Sequence, residues 1–409
     1  MTDRPSILIS GASIAGPALA FWLDRYGWDC TIVERAPAFR TGGQNIDIRG
    51  AARQVLRRAG LEDAVRAANT GEIGTRFLGD GGKVVAEFPV KKSDTEGATA
   101  ELEILRGDLS QILVDRCEGR AEIIYGDHIT ALEETDDDVL VTFDSGAERQ
   151  FDLVVAADGM RSSTRRLVFG TQVAVRSIGM ELTYLTIPRT AADTPWWNWY
   201  SEPGGLAVTL RPDSHGTTRA VLSSVIYDGF ASADGSDRRS ADEQKAHLRT
   251  QFAGVGWEAQ RVLDALDDAD DMYFETIGQV KAERWSKGRV ALTGDAAWCA
   301  SPVSGMGTSL SIVGAYVLAG ELAAHVDHRD AFAGYERIMR PYVDQAQQLP
   351  PGVPRIANPK TRAGLAALHL ALRLGATPLV GAVGSRLFTP PADKIDLPNY
   401  AHLEKSRSA

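Results

Sequence analysis

Residues Ser6 to Ser10 form a short apolar run that stops at Gly11. The turn Gly11-Ala12-Ser13-Ile14-Ala15-Gly16 then opens a segment with helical spacing, Ala15 to Arg25, and a second apolar run follows from Cys30 to Glu34. A buried strand, a tight turn, a helix and a second strand in this order make a βαβ unit. Such a unit commits the chain to a parallel sheet with helices packed on it. The turn leaves backbone N–H groups and a positive helix end free to face a pyrophosphate. Glu34 lies 23 residues beyond Gly11 at the end of the second strand, where a carboxylate can accept both hydroxyl protons of a ribose. Gly11, Ser13, Ala15, Gly16 and Glu34 therefore read as a dinucleotide site, and this motif alone does not separate FAD from NAD. Ser13 stands where the dinucleotide pattern has glycine.

Two later segments have the same strand-then-turn character. Asp152 to Ala157 ends in Asp158-Gly159, with Arg161 and Ser162 behind it. A carboxylate and a flexible backbone there can approach a phosphate, although an Asp-Gly pair is also an ordinary turn. Gly288 to Thr293 ends in Gly294-Asp295-Ala296-Ala297-Trp298, followed by Ser301-Pro302-Val303-Ser304-Gly305-Met306-Gly307-Thr308 and a helix to about Ala324. Asp295 can hydrogen-bond a ribityl hydroxyl, and the glycines let a flat ring rest on bare backbone. The positive helix end can stabilise charge on a reduced flavin.

In this order and at these distances, the three segments resemble those of the class A flavoprotein monooxygenases, which have the para-hydroxybenzoate hydroxylase fold. The likeness covers nearly the whole chain. Gly42 to Gly50, Glu103 to Leu109 and the closing Ile395 to Tyr400 are similar to those of tetracycline destructases and polyketide-tailoring hydroxylases. The resemblance implies FAD contacts by Glu34, Arg35, Asp47, Arg106 and Asp295. It also puts Gln44, Asp158, Gly159, Gly294, Pro302, Gly305, Gly307 and Thr308 beside the cofactor. It implies that Arg40 helps capture NAD(P)H, NADPH favoured, since the family has no second dinucleotide fold. Two departures stand out. Trp298 replaces the histidine usual after Gly-Asp-Ala-Ala, and Gly314-Ala315 replaces the Asp-Ala pair usual in the next helix. Trp298 suggests a bulkier, drier wall near the flavin.

The expected architecture is α/β: a Rossmann-like FAD-binding domain, an inserted, mostly antiparallel β-sheet substrate domain, and C-terminal bridging helices. The first comprises residues 1–75, 98–173 and 274–345, the second 76–97 and 174–273, and the third 346–409. Helices are expected at Ala51 to Ala59 and Leu109 to Cys117. Glu122 to Ser145 alternates apolar and polar residues and reads as antiparallel strands. Between Ala174 and Tyr273, apolar runs such as Glu181 to Ile187 and Gly205 to Leu210 alternate with turns. Trp196, Trp197, Trp199 and Tyr200 cluster there, and Asp242 to Phe252 reads as a helix on the sheet.

Composition bounds the remaining possibilities. A chain of 409 residues exceeds one ordinary core, so two or three domains are expected. The formal net charge of −10 argues against nucleic acid as a partner. Three widely spaced cysteines, Cys30, Cys117 and Cys299, do not read as a disulfide framework and fit a reducing cytosol. The polar residues before Ser6 do not read as a signal peptide. Gly364 to Val383 is apolar but interrupted by His369, Arg373 and Pro378, which reads as packed helix rather than a membrane span. A cytoplasmic monomer or weak homodimer is expected.

The reaction implied by the resemblance is oxidation of a phenolic, polycyclic substrate (tetracycline-like or an aromatic polyketide) by O2 and NAD(P)H through a flavin C4a-hydroperoxide. Because the cofactor carries that chemistry, no catalytic side chain is singled out. His325 and His328 lack company for a metal, and none is expected. Gln44, Thr186, Trp199, Arg211 and Met306 are candidate substrate contacts by position. Three other readings remain open at this point. Trp197-Asn198-Trp199 is similar to the Trp-x-Trp element of flavin-dependent halogenases, but lacks the Ile-Pro that follows there. A hydroxylase of a small phenol and a non-catalytic flavin-holding drug binder are the others.

Overall fold

The N-terminal βαβ unit forms as Ser6–Ser10, Ala15–Arg25 and Asp29–Glu34 in a computed structural model of the chain. The structure describes residues 4–40, 42–90, 102–227, 239–350, 352–377 and 395–405. The unit sits in a six-stranded sheet ordered Ser286–Lys287, Val290–Leu292, Leu153–Ala156, Ser6–Ser10, Asp29–Glu34, Ala121–Tyr125. All neighbours are parallel except the first pair.

Alternation along the central strands sends side chains to two different cores. Ile7, Ile9 and Val155 pack against a helical layer that includes Ala15–Arg25, Gly50–Ala59, Gly307–Ala324 and His328–Ala346. Leu8, Val33, Val154 and Val290 pack instead against an antiparallel sheet of Ile129–Glu134, Val139–Phe143 and Glu148–Phe151. Gly307–Ala324 is the one described helix long and apolar enough to cross a membrane, and it is mostly buried in this core. Burial on all sides explains why its apolar residues show no stripe.

The alternating stretch from Glu122 to Ser145 divides between two sheets. Ala121–Tyr125 joins the parallel sheet beside Asp29–Glu34, and only the later part forms antiparallel strands. Alternation reports one covered face and carries no information about the direction of the neighbouring strand.

A second sheet of seven strands runs Tyr273–Val280, Val175–Ile187, Thr218–Val225, Leu206–Pro212, Trp197–Glu202, Gly74–Leu78, Val84–Pro89. It is antiparallel except where Gly74–Leu78 meets Trp197–Glu202. Two expected domain boundaries, at 75/76 and 273/274, fall inside strands of this sheet. Gly74–Leu78 and Tyr273–Val280 each hydrogen-bond within it along their whole length, and the pairing partners that decide this lie far away in sequence.

The two faces of the seven-stranded sheet differ. One carries Leu185, Val208, Leu210, Leu222 and Phe274 and is covered by Ala241–Gln251 and Ala259–Asp264. Ser240 and Glu243 close the first of these helices with a reciprocal capping box. The register puts Trp197, Trp199, Thr209, Val221, Tyr184, Tyr273 and Glu275 on the other face. That face looks toward the parallel-sheet domain, whose Val303 packs on Met180, Leu182 and Ile277.

Arg211 ties the two parts together. Its guanidinium donates to Glu72 and Glu103 at 2.8 Å each and lies 4.1 Å from the Trp197 ring centroid. The C-terminal residues contact both parts. Val353–Ala357 and Arg362–Gly375 border the seven-stranded sheet, where Gly204 N–H donates to Lys360 O and the Tyr227 hydroxyl to Asn358 O. Tyr400 is buried against the other domain and donates to Glu321 at 2.6 Å. Within the apolar stretch 364–383, the helix ends at Gly375, and the residues after Thr377 lie outside the described ones.

Candidate cofactor and substrate site

The three glycine-rich turns meet at the C-terminal ends of three adjacent parallel strands. Gly11 has φ +110°, and a Cβ there would lie 2.6 Å from Ala157 O and 3.0 Å from Asp158 Cα. A Cβ on Gly294 would lie 2.9 Å from the Ala15 Cβ. A Cβ on Gly16 would fall 1.9 Å from Gly11 O, so only glycine lets the helix start this close to the strand. The crevice above such strand ends, where the connections diverge, is where open α/β sheets bind ligands.

Side chains around the first turn are prearranged. Glu34 accepts from Ala12 N–H at 3.0 Å and Ala36 N–H at 2.9 Å, which fixes its carboxylate beside the turn. Arg106 donates to Ser13 Oγ at 3.0 Å and to Gly42 O at 2.8 Å, and Ser110 donates to Ser13 O at 2.8 Å. The departure at Ser13 thus supplies the acceptor that orients Arg106. Burial lowers the pKa of Arg106 from its ordinary value. Arg35 donates to Ser163 at 2.6 Å, Gln44 accepts the Arg106 backbone N–H at 2.9 Å, and Asp47 pairs with buried Arg49 at 3.0 Å. Arg40 is exposed and near enough to Arg106 to act on its charge.

The second and third turns differ in how their carboxylates are used. Asp158 accepts from Ser162, from Thr164 N–H at 3.1 Å and from Thr164 Oγ1 at 3.0 Å, so it braces the start of the helix Ser163–Phe169. Asp295 starts the short helix Asp295–Trp298, and burial raises its carboxyl above the ordinary value. Ser301 then adopts φ +75°, with its buried hydroxyl unpartnered, before the single turn Pro302–Ser304 and Gly305 at φ +63°. A serine held in the left-handed region is strained, and such strain collects at ligand sites.

These features fit a flavin dinucleotide. Neither Ala15–Arg25 nor Gly307–Ala324 has a side-chain cap or an acidic residue in its first turn, so both positive ends remain available to anionic groups. Gly11, Gly16 and Gly294 keep the cradle clear of side chains, Glu34 and Asp295 stand at its ribose and ribityl ends, and the Ser301 hydroxyl is a donor in search of an acceptor.

The proposed substrate contacts are placed less uniformly. Trp199 lies on the sheet face toward the crevice, its ring centroid 5.2 Å from Trp197 and 5.9 Å from Phe77. Thr186 is engaged by Asp271 and Arg219. Arg211 spends its guanidinium on the ion pairs that join the domains, and Met306 is wholly buried in the main core. Position alone made these last two candidates; in the structure Arg211 is held by its ion pairs and Met306 by the core.

Residues not singled out by sequence complete the crevice. Glu275 is only 9% exposed and accepts a hydrogen bond from the Tyr273 hydroxyl at 3.3 Å. Burial pushes its carboxyl up to about 7, with Arg161, Asp295 and Arg106 also acting on it across the crevice. Tyr184 stacks on Tyr273 with centroids 6.4 Å apart. The available signal was a lone acidic residue in the short run Tyr273 to Val280. Among the described residues, no group of three or more His, Cys, Asp or Glu is placed to hold a metal, and Cys30, Cys117 and Cys299 are free and buried.

Comparison with known proteins agrees with this geometry. The family described as "FAD binding domain" matches residues 4–349. A flavin-dependent monooxygenase from an unknown prokaryotic organism is 38% identical over 351 residues, covering 85% of this chain and 89% of the relative. The FAD-dependent monooxygenase asL4 of Sarocladium schorii is 33% identical over 427 residues, covering 98% and 99%. The crystal structure of tetracycline destructase Tet(55) superimposes with a TM-score of 0.78 at 33% identity, covering 98% of this chain and 100% of that one. The chain belongs to the FAD-binding-domain family and is an FAD-dependent monooxygenase of class A. That class sets aside the halogenase and drug-binder readings.

Proposed function

We propose that the enzyme uses NAD(P)H and O2 to hydroxylate, or oxidatively inactivate, a phenolic polycyclic molecule of the tetracycline or aromatic polyketide kind. The observation that carries this reading is the sheet face opposite the cofactor turns. Phe77, Trp197 and Trp199 form one continuous aromatic surface, and Tyr184 and Tyr273 form another on the same sheet. Broad rings of this kind suit a flat, fused ligand better than a single small ring. The names of the relatives support the same class of compound, since Tet(55) and Tet(51) are tetracycline destructases.

The protein's task is positioning and exclusion of water. Bound FAD supplies the redox and oxygen chemistry. Glu34, Arg106 and the two uncapped helix ends would hold it, and Asp295 would accept from its ribityl chain. Arg40, exposed beside Arg106 and without an ion-pair partner among the described residues, supports a role in steering the phosphates of NADPH.

The test is a panel of tetracyclines, hydroxyanthraquinones and simple phenols, each incubated with the holoenzyme, O2 and either NADPH or NADH. A product heavier by one oxygen atom, with substrate-stimulated NADPH oxidation, is expected from a polycyclic member. Turnover of simple phenols only would reduce the assignment to a small-phenol hydroxylase, and silence across the panel would defeat it.

A further inference from the structure

Glu275 is a buried charged group in the crevice with few partners. It sits on Tyr273–Val280, the edge strand of the substrate-side sheet, and the register points it to the same face as Tyr184 and Tyr273. Its side chain is nine-tenths buried, yet among the described residues it makes one hydrogen bond, accepted from Tyr273, and no ion pair. Among the described residues its other carboxylate oxygen has no protein partner and keeps some access to the open crevice. Buried carboxylates ordinarily recruit several donors or a cation, because leaving one bare costs several times what a good hydrogen bond returns.

The surrounding groups do not relieve this. Tyr273 faces Glu275 from its own strand, and Tyr184 from the neighbouring one. From the cofactor side come Arg161, Asp295, Arg106 and Cys299. The two arginines favour the ionised form and Asp295 opposes it. Among the described residues Arg161 makes no ion pair with Glu275, and its Nε is buried without a partner. Burial outweighs these charges and leaves the carboxyl titrating near neutrality. Tyr273 is 47% exposed, and its hydroxyl is the side-chain donor to Glu275 among the described residues.

We infer that Glu275 is the acceptor for an acidic hydroxyl on the substrate, taking its proton when the substrate binds. This deepens, and rests on, the proposed phenolic substrate. The step balances simply: the aromatic O–H bond breaks, its electron pair stays on oxygen, and the proton forms an O–H bond on the free carboxylate oxygen of Glu275. The proton then leaves through the Tyr273 hydroxyl, which passes its own proton outward and takes the incoming one. No oxidant or reductant is needed. A ring bearing an ionised oxygen is richer in electrons and more open to electrophilic oxygen, so the step also prepares the substrate. It defines the ligand as well. The group facing Glu275 must be a phenol or enol, since a carboxylate there would meet a like charge.

Alizarin, a dihydroxyanthraquinone whose colour reports ionisation of its hydroxyl, provides the test without relying on turnover. It is titrated into the FAD-loaded enzyme from about pH 5 to 9, alongside Glu275→Gln and Tyr273→Phe. The wild type is expected to bind it and show the ionised spectrum at a pH at least about one unit below that of free dye, a tenfold shift in the equilibrium. Glu275→Gln should bind it in the neutral form, and any substrate-stimulated NADPH oxidation should fall by roughly a hundredfold or more. Tyr273→Phe should keep the shift but slow its appearance. If Glu275→Gln does not retain flavin, Glu275→Asp takes its place, with a partial shift expected. Exclusion of the dye by the wild type, or equal ionisation in wild type and variant, overturns the inference. A dye shift without oxidation of any panel compound would instead spare Glu275 and defeat the monooxygenase substrate assignment above.

Discussion

The Cζ2 atom of Trp298 lies 2.8 Å from the point a Cβ on Gly314 would occupy. The two departures from the family pattern are therefore one event: the large indole in the turn after Asp295 requires a bare backbone in the facing helix. Trp298 also packs on Trp285 at 4.3 Å and Tyr335 at 5.7 Å, completing a buried aromatic cluster behind the cofactor turn.

Substituting Gly314→Ala should thus overpack this contact and cost about 1–3 kcal/mol, whereas Trp298→Ala should leave a cavity worth about 3–5 kcal/mol. In the double variant the added methyl has room, and its cost should vanish. Urea unfolding of the four proteins measures the coupling. Equal penalties for Gly314→Ala in both backgrounds would mean the indole and the glycine are unrelated.

Glu34 offers a prediction for the cofactor. Both of its oxygens accept backbone N–H groups, from Ala12 and Ala36. In Glu34→Gln the amide NH2 must face one of these donors, which misplaces the side chain beside the ribose. FAD affinity of the apoprotein should fall roughly tenfold, the size of one lost hydrogen bond, as read by quenching of flavin fluorescence. Undiminished affinity would place Glu34 outside the cofactor contact.

These residues also show which parts of the molecule could be read in advance. Ala15–Arg25 and the neighbouring glycine turn were legible to the residue, because strand, turn and helix are local and the glycines are forced by close approach. The convergence of Gly11, Asp158 and Gly294 was legible because each motif ends a parallel strand. Long-range pairing was not. Nothing local tells that Ala121–Tyr125 runs parallel to Asp29–Glu34, or that Tyr273–Val280 belongs with the seven-stranded sheet. Glu275 was hidden for the same reason, since the groups around it, Tyr184, Arg106, Arg161 and Asp295, come from several separated segments. Arg211 was a candidate by position only, and its partners in the structure, Glu72 and Glu103, are remote in sequence.

That last arrangement is testable. One guanidinium serves two buried carboxylates, and burial with a neighbouring like charge pushes Glu72 up to about 8. Arg211→Met would leave both carboxylates without their cation, a loss of about 3–5 kcal/mol. The loss should shrink as the pH is lowered below about 8, where Glu72 holds its proton in the folded chain and no longer needs the cation. Denaturant unfolding at several pH values gives the answer; a penalty independent of pH would show that packing against Trp197, rather than charge, is what Arg211 contributes.

Glu275 makes the opposite kind of prediction. Its carboxyl is raised from 4.5 to about 7 in the folded chain, chiefly by burial. Between those values the folded protein holds a proton that the unfolded chain has released, so stability falls as pH rises through this window and stays lower above it. The full effect is on the order of 3 kcal/mol for a shift of this size, fully expressed above about pH 7 and absent below about pH 4.5. Glu275→Gln, which cannot ionise, should therefore melt higher than the wild type near pH 8 and at the same temperature near pH 4.5. A residue selected only for folding would not be kept at such a cost, so a stabilised variant that also loses proton uptake from a bound phenol would link the penalty to the reaction. A Glu275→Gln protein less stable than the wild type at pH 8 would instead show that the carboxylate is satisfied, with Arg161 closing the ion pair in solution.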